Sequence, residues 1–334
     1  MPSRAVLAAA IALLIAIWGT TWAAIRIGLD DLPPLTSLAA RFAISGLVLL
    51  ALMPAFRVRL RPDRRVLGLW LANGTLTFGL SYGIVYWGEQ RVPSGLTALL
   101  FATFPLFVSV LGHFFLPGER MHPRGVAGTL VGFAGVVVIF SEDLSRLGGP
   151  GVSTAAAVLL GAPALSSVAN VAVKRYGRGV HPLSLTAVPL LGAAAAIGVV
   201  AAFAEADRTV RWTPAAIGSV VYLALFGSAL AFVVYFWLLD KLPATRLSLI
   251  TYAVPVVAVA VGTLVLDERL TARIGAGAAL VIAGVALAGR ARPAVELSEG
   301  GCSSPPPPQE RGPAGTPSPE SAASRPPHKR SCGA

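Results

Sequence analysis

Long apolar runs, broken by short polar gaps, set the pattern of this chain. A membrane crossing needs about 20 apolar residues, with 17–25 tolerated. On that rule the runs predict about ten transmembrane helices, near residues 5–27, 34–54, 66–87, 94–116, 123–140, 152–173, 181–203, 214–238, 243–265 and 271–289. The gaps hold the turn and charge signals, among them Asp30-Asp31 with Pro33-Pro34, the arginines from Arg57 to Arg65, and Glu205 to Pro214. Pro34, Pro93, Pro123, Pro182, Pro214 and Pro243 stand at or next to predicted helix starts. A missing N–H costs nothing there, because the first-turn donors have no partner within the helix. The first run opens behind Arg4 and lasts to about Ile25, carrying Trp18 and Trp22 where the apolar region of a signal peptide would be ending. It reads as an uncleaved first span.

The chain writes one stretch twice. SYGIVYWGEQRVPSGLTALLFATFPLFVSV from Ser81 is answered by AFVVYFWLLDKLPATRLSLITYAVPVVAVA from Ala231. Trp87 falls on Trp237, Pro93 on Pro243 and Pro105 on Pro255, each 150 residues on. Glu119-Arg120 falls on Glu268-Arg269, Gly128 on Gly277 and Gly135 on Gly284, each 149 on. Two copies this apolar are too few and too hydrophobic for a soluble solenoid. They predict two five-helix repeats, residues 1–148 and 149–290.

Composition supports the membrane reading. Of the residues, 55% are hydrophobic and 13% charged, and mean hydropathy is +0.71, outside the soluble range. The high pI, about 10.6, does not indicate nucleic-acid binding, because the cations lie in short gaps rather than on one soluble face. Their distribution sets orientation. With the N-terminus inside, fifteen cations fall in cytoplasmic segments and six in outer loops, which places both termini in the cytoplasm. Five helices per repeat is an odd number, so the second repeat must enter from the opposite side, the inverted-repeat plan of many secondary transporters. From about Ala291 the chain turns Pro/Ser/Gly-rich and lacks core-forming residues, so 291–334 reads as a disordered cytoplasmic tail. Cys302 and Cys332 both lie in it and form no disulfide framework or metal spacing.

Catalytic patterns are missing. No His/Glu zinc motif, nucleophile elbow or phosphate-binding loop appears, so neither an enzyme nor a cofactor is expected. Arg41 stands out instead, seven residues beyond Pro34 and about 10 Å along its helix. An arginine at that depth is costly unless it faces a cavity or a partner; snorkelling to the interface, or pairing with Asp30 or Asp31, are the alternatives. Trp18, Trp22 and Arg26 recur every four residues and share a face. An aromatic strip ending in a cation suits a solute with an apolar body and a carboxylate; an interfacial anchor is the alternative for Arg26. The third span offers Asn73, Thr77 and Ser81 on one face and Phe78, Tyr82 and Tyr86 on another, while the eighth keeps Phe232 and Phe236 but has Ser228 in place of Phe78. Asn73 and Asn170 are also candidates for interhelical hydrogen bonds. Glu119-Arg120 and Glu268-Arg269 each precede a span, where a carboxylate suits the helix N-terminus and pairs locally with arginine. Gly128, Gly132 and Gly135, with Gly277 and Gly284, mark the fifth and tenth spans as packing helices or as the contact of a homodimer.

The paired halves, the WGTTWAAIRIG opening, Arg41 in the second span and the repeated ER…G…AGV segment resemble the EamA family of the drug/metabolite transporter superfamily, over roughly residues 5–290. The resemblance implies a ten-helix carrier with a central cavity, exporting amino acids or other small metabolites across the cell (inner) membrane. Arg41, Arg26, Trp18, Trp22, Asn73, Thr77, Tyr82, Tyr86, Phe232 and Phe236 are the candidate substrate-binding residues. The expected partners are a small-molecule solute and membrane lipids. A channel or scaffold without active transport is the alternative.

The orientation is testable by cysteine substitution, after Cys302 and Cys332 are replaced. An impermeant thiol reagent applied to intact cells should label cysteines at Ser145 and Asp207 and spare those at Arg61 and Arg175. Labelling of either arginine site from outside would reverse the assignment.

Overall fold

The computed structural model describes residues 2–91, 94–139, 141, 152–257 and 272–289, and every regular element among them is helical. We number the helices α1 (Arg4–Leu29), α2 (Pro34–Leu52), α3 (residues 64–89), α4 (94–115), α5 (Pro123–Ile139), α6 (152–176), α7 (Pro182–Ala204), α8 (Pro214–Lys241), α9 (Ala244–Val257) and α10 (Ala272–Gly289). Among the described residues, five segments are long and apolar enough to cross a membrane: Arg4–Leu29, Pro34–Leu52, Thr154–Tyr176, Pro182–Ala204 and Pro214–Lys241. Leu99–Phe115, Pro123–Val138, Ala244–Val257 and Gly275–Ala288 are shorter apolar helices. The segment 291–334, Glu268-Arg269 and residues 142–151 lie outside the described residues.

Local chemistry explains the helix ends. Ser3, Asp63 and Thr213 accept from the backbone N–H of Val6, Val66 and Ala216, satisfying first-turn donors. Pro34, Pro182 and Pro214 occupy first helical positions. Prolines further in have different outcomes. Pro105 cannot donate to the Phe101 carbonyl, and α4 is interrupted at Ala102-Thr103. Pro163 interrupts α6 at Leu160 in the same way. Pro189 leaves α7 intact, because the Leu185 carbonyl it orphans accepts instead from Asn73 Nδ2 at 3.0 Å.

Two stretches are wound as π-helix, Asn73–Ser81 in α3 and Leu223–Leu230 in α8, at matching places in the two repeats. Wider winding turns carbonyls away from the ladder, and the opposite repeat meets them. Ser45 Oγ of α2 donates to the Ala224 carbonyl at 2.9 Å, and Arg41 Nη2 approaches the Gly227 carbonyl at 3.4 Å. On the other side, α7 lies so close to α3 that a Cβ on Gly74 would come within 3.3 Å of the Pro189 carbonyl.

The packing is reciprocal between repeats. α2 lies along α7, and α5 along α10; α3 meets α6 and α7, and α8 meets α1 and α2. The α5–α10 contact is backbone against backbone: a Cβ on Gly284 would stand 2.3 Å from the Gly132 nitrogen, and one on Gly128 2.4 Å from that of Ala288. This glycine face is therefore used within the chain and not for a dimer contact. The acidic residue ahead of α5 also acts elsewhere than its position in the sequence indicates. Glu119 does not cap α5; its carboxylate accepts from the backbone N–H of Ala244 and Thr245, both at 2.9 Å, at the start of α9. Glu205, after α7, does the same for Leu35 and Thr36 at the start of α2, at 2.9 and 2.8 Å. Each carboxylate also takes the hydroxyl of a threonine two residues after a proline, Thr245 or Thr36.

Two stability predictions follow from this packing. Gly284→Ala should abolish folded protein, whereas Gly275→Ala in the same helix, with nothing within 4 Å of its added methyl, should be neutral or stabilise by about 0.5–1 kcal/mol. Fluorescence size-exclusion yield and melting temperature would show the difference, and equal behaviour of the two would disprove the close approach. Glu119→Ala and Glu205→Ala should each cost about 1–2 kcal/mol by uncapping a helix in another part of the chain, read as a lower melting temperature; unchanged melting would remove these contacts from the account.

Candidate functional site

A cavity of about 110 Å³ lies between the repeats. α1, α2, α3 and α4 line it from the first repeat, and α6, α8 and α9 from the second. Among the described residues, α5, α7 and α10 contribute nothing to its wall. α3 reaches the cavity with its π-wound stretch, through Thr77 and through Asn73, which at the same time bonds α7 with its amide nitrogen.

Arg41 is the charged side chain of this wall, and it is 1% exposed. Its Nε donates to Ser228 Oγ at 2.8 Å, Nη1 to the Tyr86 hydroxyl at 3.1 Å, and Nη2 to the Gly227 carbonyl. The Tyr82 ring centre lies 5.1 Å and that of Phe42 5.6 Å from the guanidinium carbon, within cation–π range. No carboxylate among the described residues pairs with it. Asp31, the partner considered from the sequence, is taken by Arg211 at 2.8 Å and by the Thr213 hydroxyl. Neutral dipoles and ring faces offset part of the cost of burying the cation, and its net charge stays uncancelled at the cavity wall.

The rest of the wall is largely aromatic. Trp18 packs against Phe232 and Tyr235 at centroid distances of 5.8 and 5.4 Å, and Trp22 against Phe101 at 6.2 Å. Phe78 meets Phe232 edge-on at 4.8 Å, joining the aromatic faces of α3 and α8. Two polar atoms in this wall have no hydrogen-bond partner among the described residues, the Trp18 indole N–H and the Asn170 amide oxygen. Asn170 Nδ2 is held by the Tyr235 hydroxyl. Trp18 and Asn170 line the aromatic chamber together with Arg41.

Of the residues singled out from the sequence, Arg41, Trp18, Trp22, Asn73, Thr77, Tyr82, Phe232 and Phe236 line this cavity. Tyr86 does not; it is fully buried behind Arg41 and orients the guanidinium. Arg26 is also outside. Its side chain is exposed and its Nη1 donates to the Glu89 carbonyl at 3.0 Å, where the C-terminal end of α3 attracts a cation. Ile25, one residue earlier, faces inward in its place. Sequence reasoning missed Tyr235, Ser166, Thr251 and the role of Asn170. Asn170 was legible as a polar residue in an apolar span. Thr251 carries no such signal, since α9 reaches the cavity only through tertiary packing.

This geometry can be set beside known proteins. The EamA-like transporter family matches residues 4–141 and again residues 153–290. The chain is 32% identical over 270 residues to the uncharacterized transporter YoaV of Bacillus subtilis (strain 168), covering 80% of this chain and 91% of that one. It is also 32% identical over 291 residues to a "probable terminal-alkyne amino-acid exporter" of Streptantibioticus cattleyicolor, covering 84% and 92%. A solved crystal structure shares the fold with a TM-score of 0.73 at 24% identity, over 86% of this chain and 97% of that one. Matched twice along its length, this helical membrane protein is a transporter of the EamA-like family.

Proposed function

We propose that the protein is a secondary exporter of amino acids or similar small metabolites that carry a carboxylate, working by alternating access between two inverted five-helix repeats. On this reading ten helices cross the cell membrane and both termini lie in the cytoplasm. The observation that carries it is Arg41: a buried guanidinium at the wall of an aromatic cavity, without a carboxylate partner among the described residues. A solute carboxylate supplies the missing charge, and the planar fork can bind it with two parallel hydrogen bonds. The Trp18 N–H and the Asn170 oxygen then offer a donor and an acceptor to further polar groups of the solute, and the rings take its apolar body. The name of the Streptantibioticus relative supports the same solute class. Reciprocal packing between the repeats supports a rocking motion about the cavity, because each half presents equivalent contacts to the other.

Purified protein in proteoliposomes should show saturable counterflow of amino acids, which a static pore would not. Arg41→Ala should weaken solute binding by about 1–3 kcal/mol. Arg41→Lys keeps the charge but loses the fork, so its loss should be smaller. Ser228→Ala and Tyr86→Phe remove partners that orient the guanidinium and should weaken binding less than Arg41→Ala, with little change in melting temperature. Normal affinity in well-folded Arg41→Ala would end this assignment.

A further inference from the structure

A second and larger concavity lies on the outside of the bundle. It is a trough of about 790 Å³ between α3 and α7, lined almost wholly by apolar side chains and glycines. The two helices run side by side in one direction, since their contacts advance together from Trp70 with Ser184 to Gly74 with Pro189. Beyond that crossing the walls part, because Gly83 and Gly192 have no neighbour within 4 Å of an added Cβ. The lining runs from Leu67 to Trp87, about 30 Å along the helix at 1.5 Å per residue, which is close to the hydrocarbon thickness of a bilayer.

Charge marks one end. Arg57, Arg59, Arg61, Arg64 and Arg65 precede Leu67, and all five are exposed. Arg64 stands one turn before Leu67 on the same face of α3. The one acid in this stretch, Asp63, uses its carboxylate to cap the Val66 N–H at 2.7 Å. No carboxylate among the described residues pairs with any of the five arginines. Arg64 and Arg65 moreover occupy the first turn of a helix, where the dipole disfavours cations. Arg65 reaches across to the Arg178 carbonyl, ahead of α7, and so brings the arginines to the mouth of the trough.

We propose that this trough is a binding site for an anionic phospholipid, with an acyl chain along α3 and α7 and the phosphate held by the Arg61–Arg65 segment. An amphiphile with a negative head matches both halves of the site, and a membrane supplies it at the right depth. A second copy of the chain fits less well. A two-fold contact along this trough would bring two uncompensated arginine clusters to the same membrane face beside each other.

The test uses the full-length protein in mixed micelles containing equal phosphatidylglycerol and phosphatidylcholine with identical acyl chains. Native mass spectrometry reads the retained lipid, and size-exclusion chromatography the oligomeric state. The wild type should retain phosphatidylglycerol in clear preference. Arg61→Gln and Arg64→Gln should each lower that preference about five-fold, with melting temperature unchanged because both side chains are exposed. Gly192→Leu should remove retention of either lipid by filling the trough. Thr75→Trp, an exposed position on the same wall, repeats the test if Gly192→Leu fails to fold. Equal retention of the two lipids, or retention unaffected by the filling variants, would overturn the proposal. A dimer dispersed by Gly192→Leu would overturn it as well, in favour of a second copy.

Discussion

Arg41 meeting the π-wound stretch of α8 is the contact on which the working part of the molecule depends. In hydrocarbon no water is present to satisfy a freed backbone carbonyl, so any departure from regular α-winding must be answered from within the protein. Leu223–Leu230 departs from it, and α2 answers with Ser45 on Ala224 and Arg41 on Gly227. The same guanidinium that repairs the backbone is the charge at the cavity wall. Its orientation is thereby fixed by the scaffold and not by a loop, and Ser228 and Tyr86 each take one more of its five N–H donors.

The other repeat solves the same problem with different residues. Counted from the prolines that open α2 and α7, Arg41 and Pro189 occupy the same place, seven residues in. Pro189 orphans the Leu185 carbonyl, and Asn73 of the other π stretch takes it up. Each side therefore couples an irregular helix to a polar side chain from the opposite repeat. Only one side leaves a net charge behind, so a duplicated scaffold encloses a polar, one-sided chamber.

Helix ends are treated in the same manner. Glu119 and Glu205 each leave the end of one helix to cap the start of another, far away in sequence. Buried first-turn N–H groups need an acceptor, and a carboxylate that also binds a threonine hydroxyl supplies two or three bonds at once. These links hold α2 to α7 and α4 to α9, whereas α5 and α10 need no polar link because glycines let their backbones touch.

Hydrophobic run length, proline placement and the internal duplication determined the helical plan and the membrane setting, because each depends on local chain properties read along one dimension. Arg41 was likewise visible, since an arginine in an apolar run always needs a structural reason. The tertiary structure decided which face of each helix meets which neighbour. Trp18, Trp22 and Arg26 share a helical face in sequence, yet the end of α3 draws Arg26 away from the cavity by offering the Glu89 carbonyl. Tyr82 and Tyr86 follow the π stretch on one regular helical stripe and both meet Arg41, Tyr82 with its ring and Tyr86 with its hydroxyl, yet only Tyr82 lines the cavity. Thr251 and Tyr235 entered the wall, and Glu119 became the cap of α9, through contacts between segments more than a hundred residues apart. Such contacts depend on the relative rotation and crossing of packed helices, and the order of residues along any one helix carries no record of that.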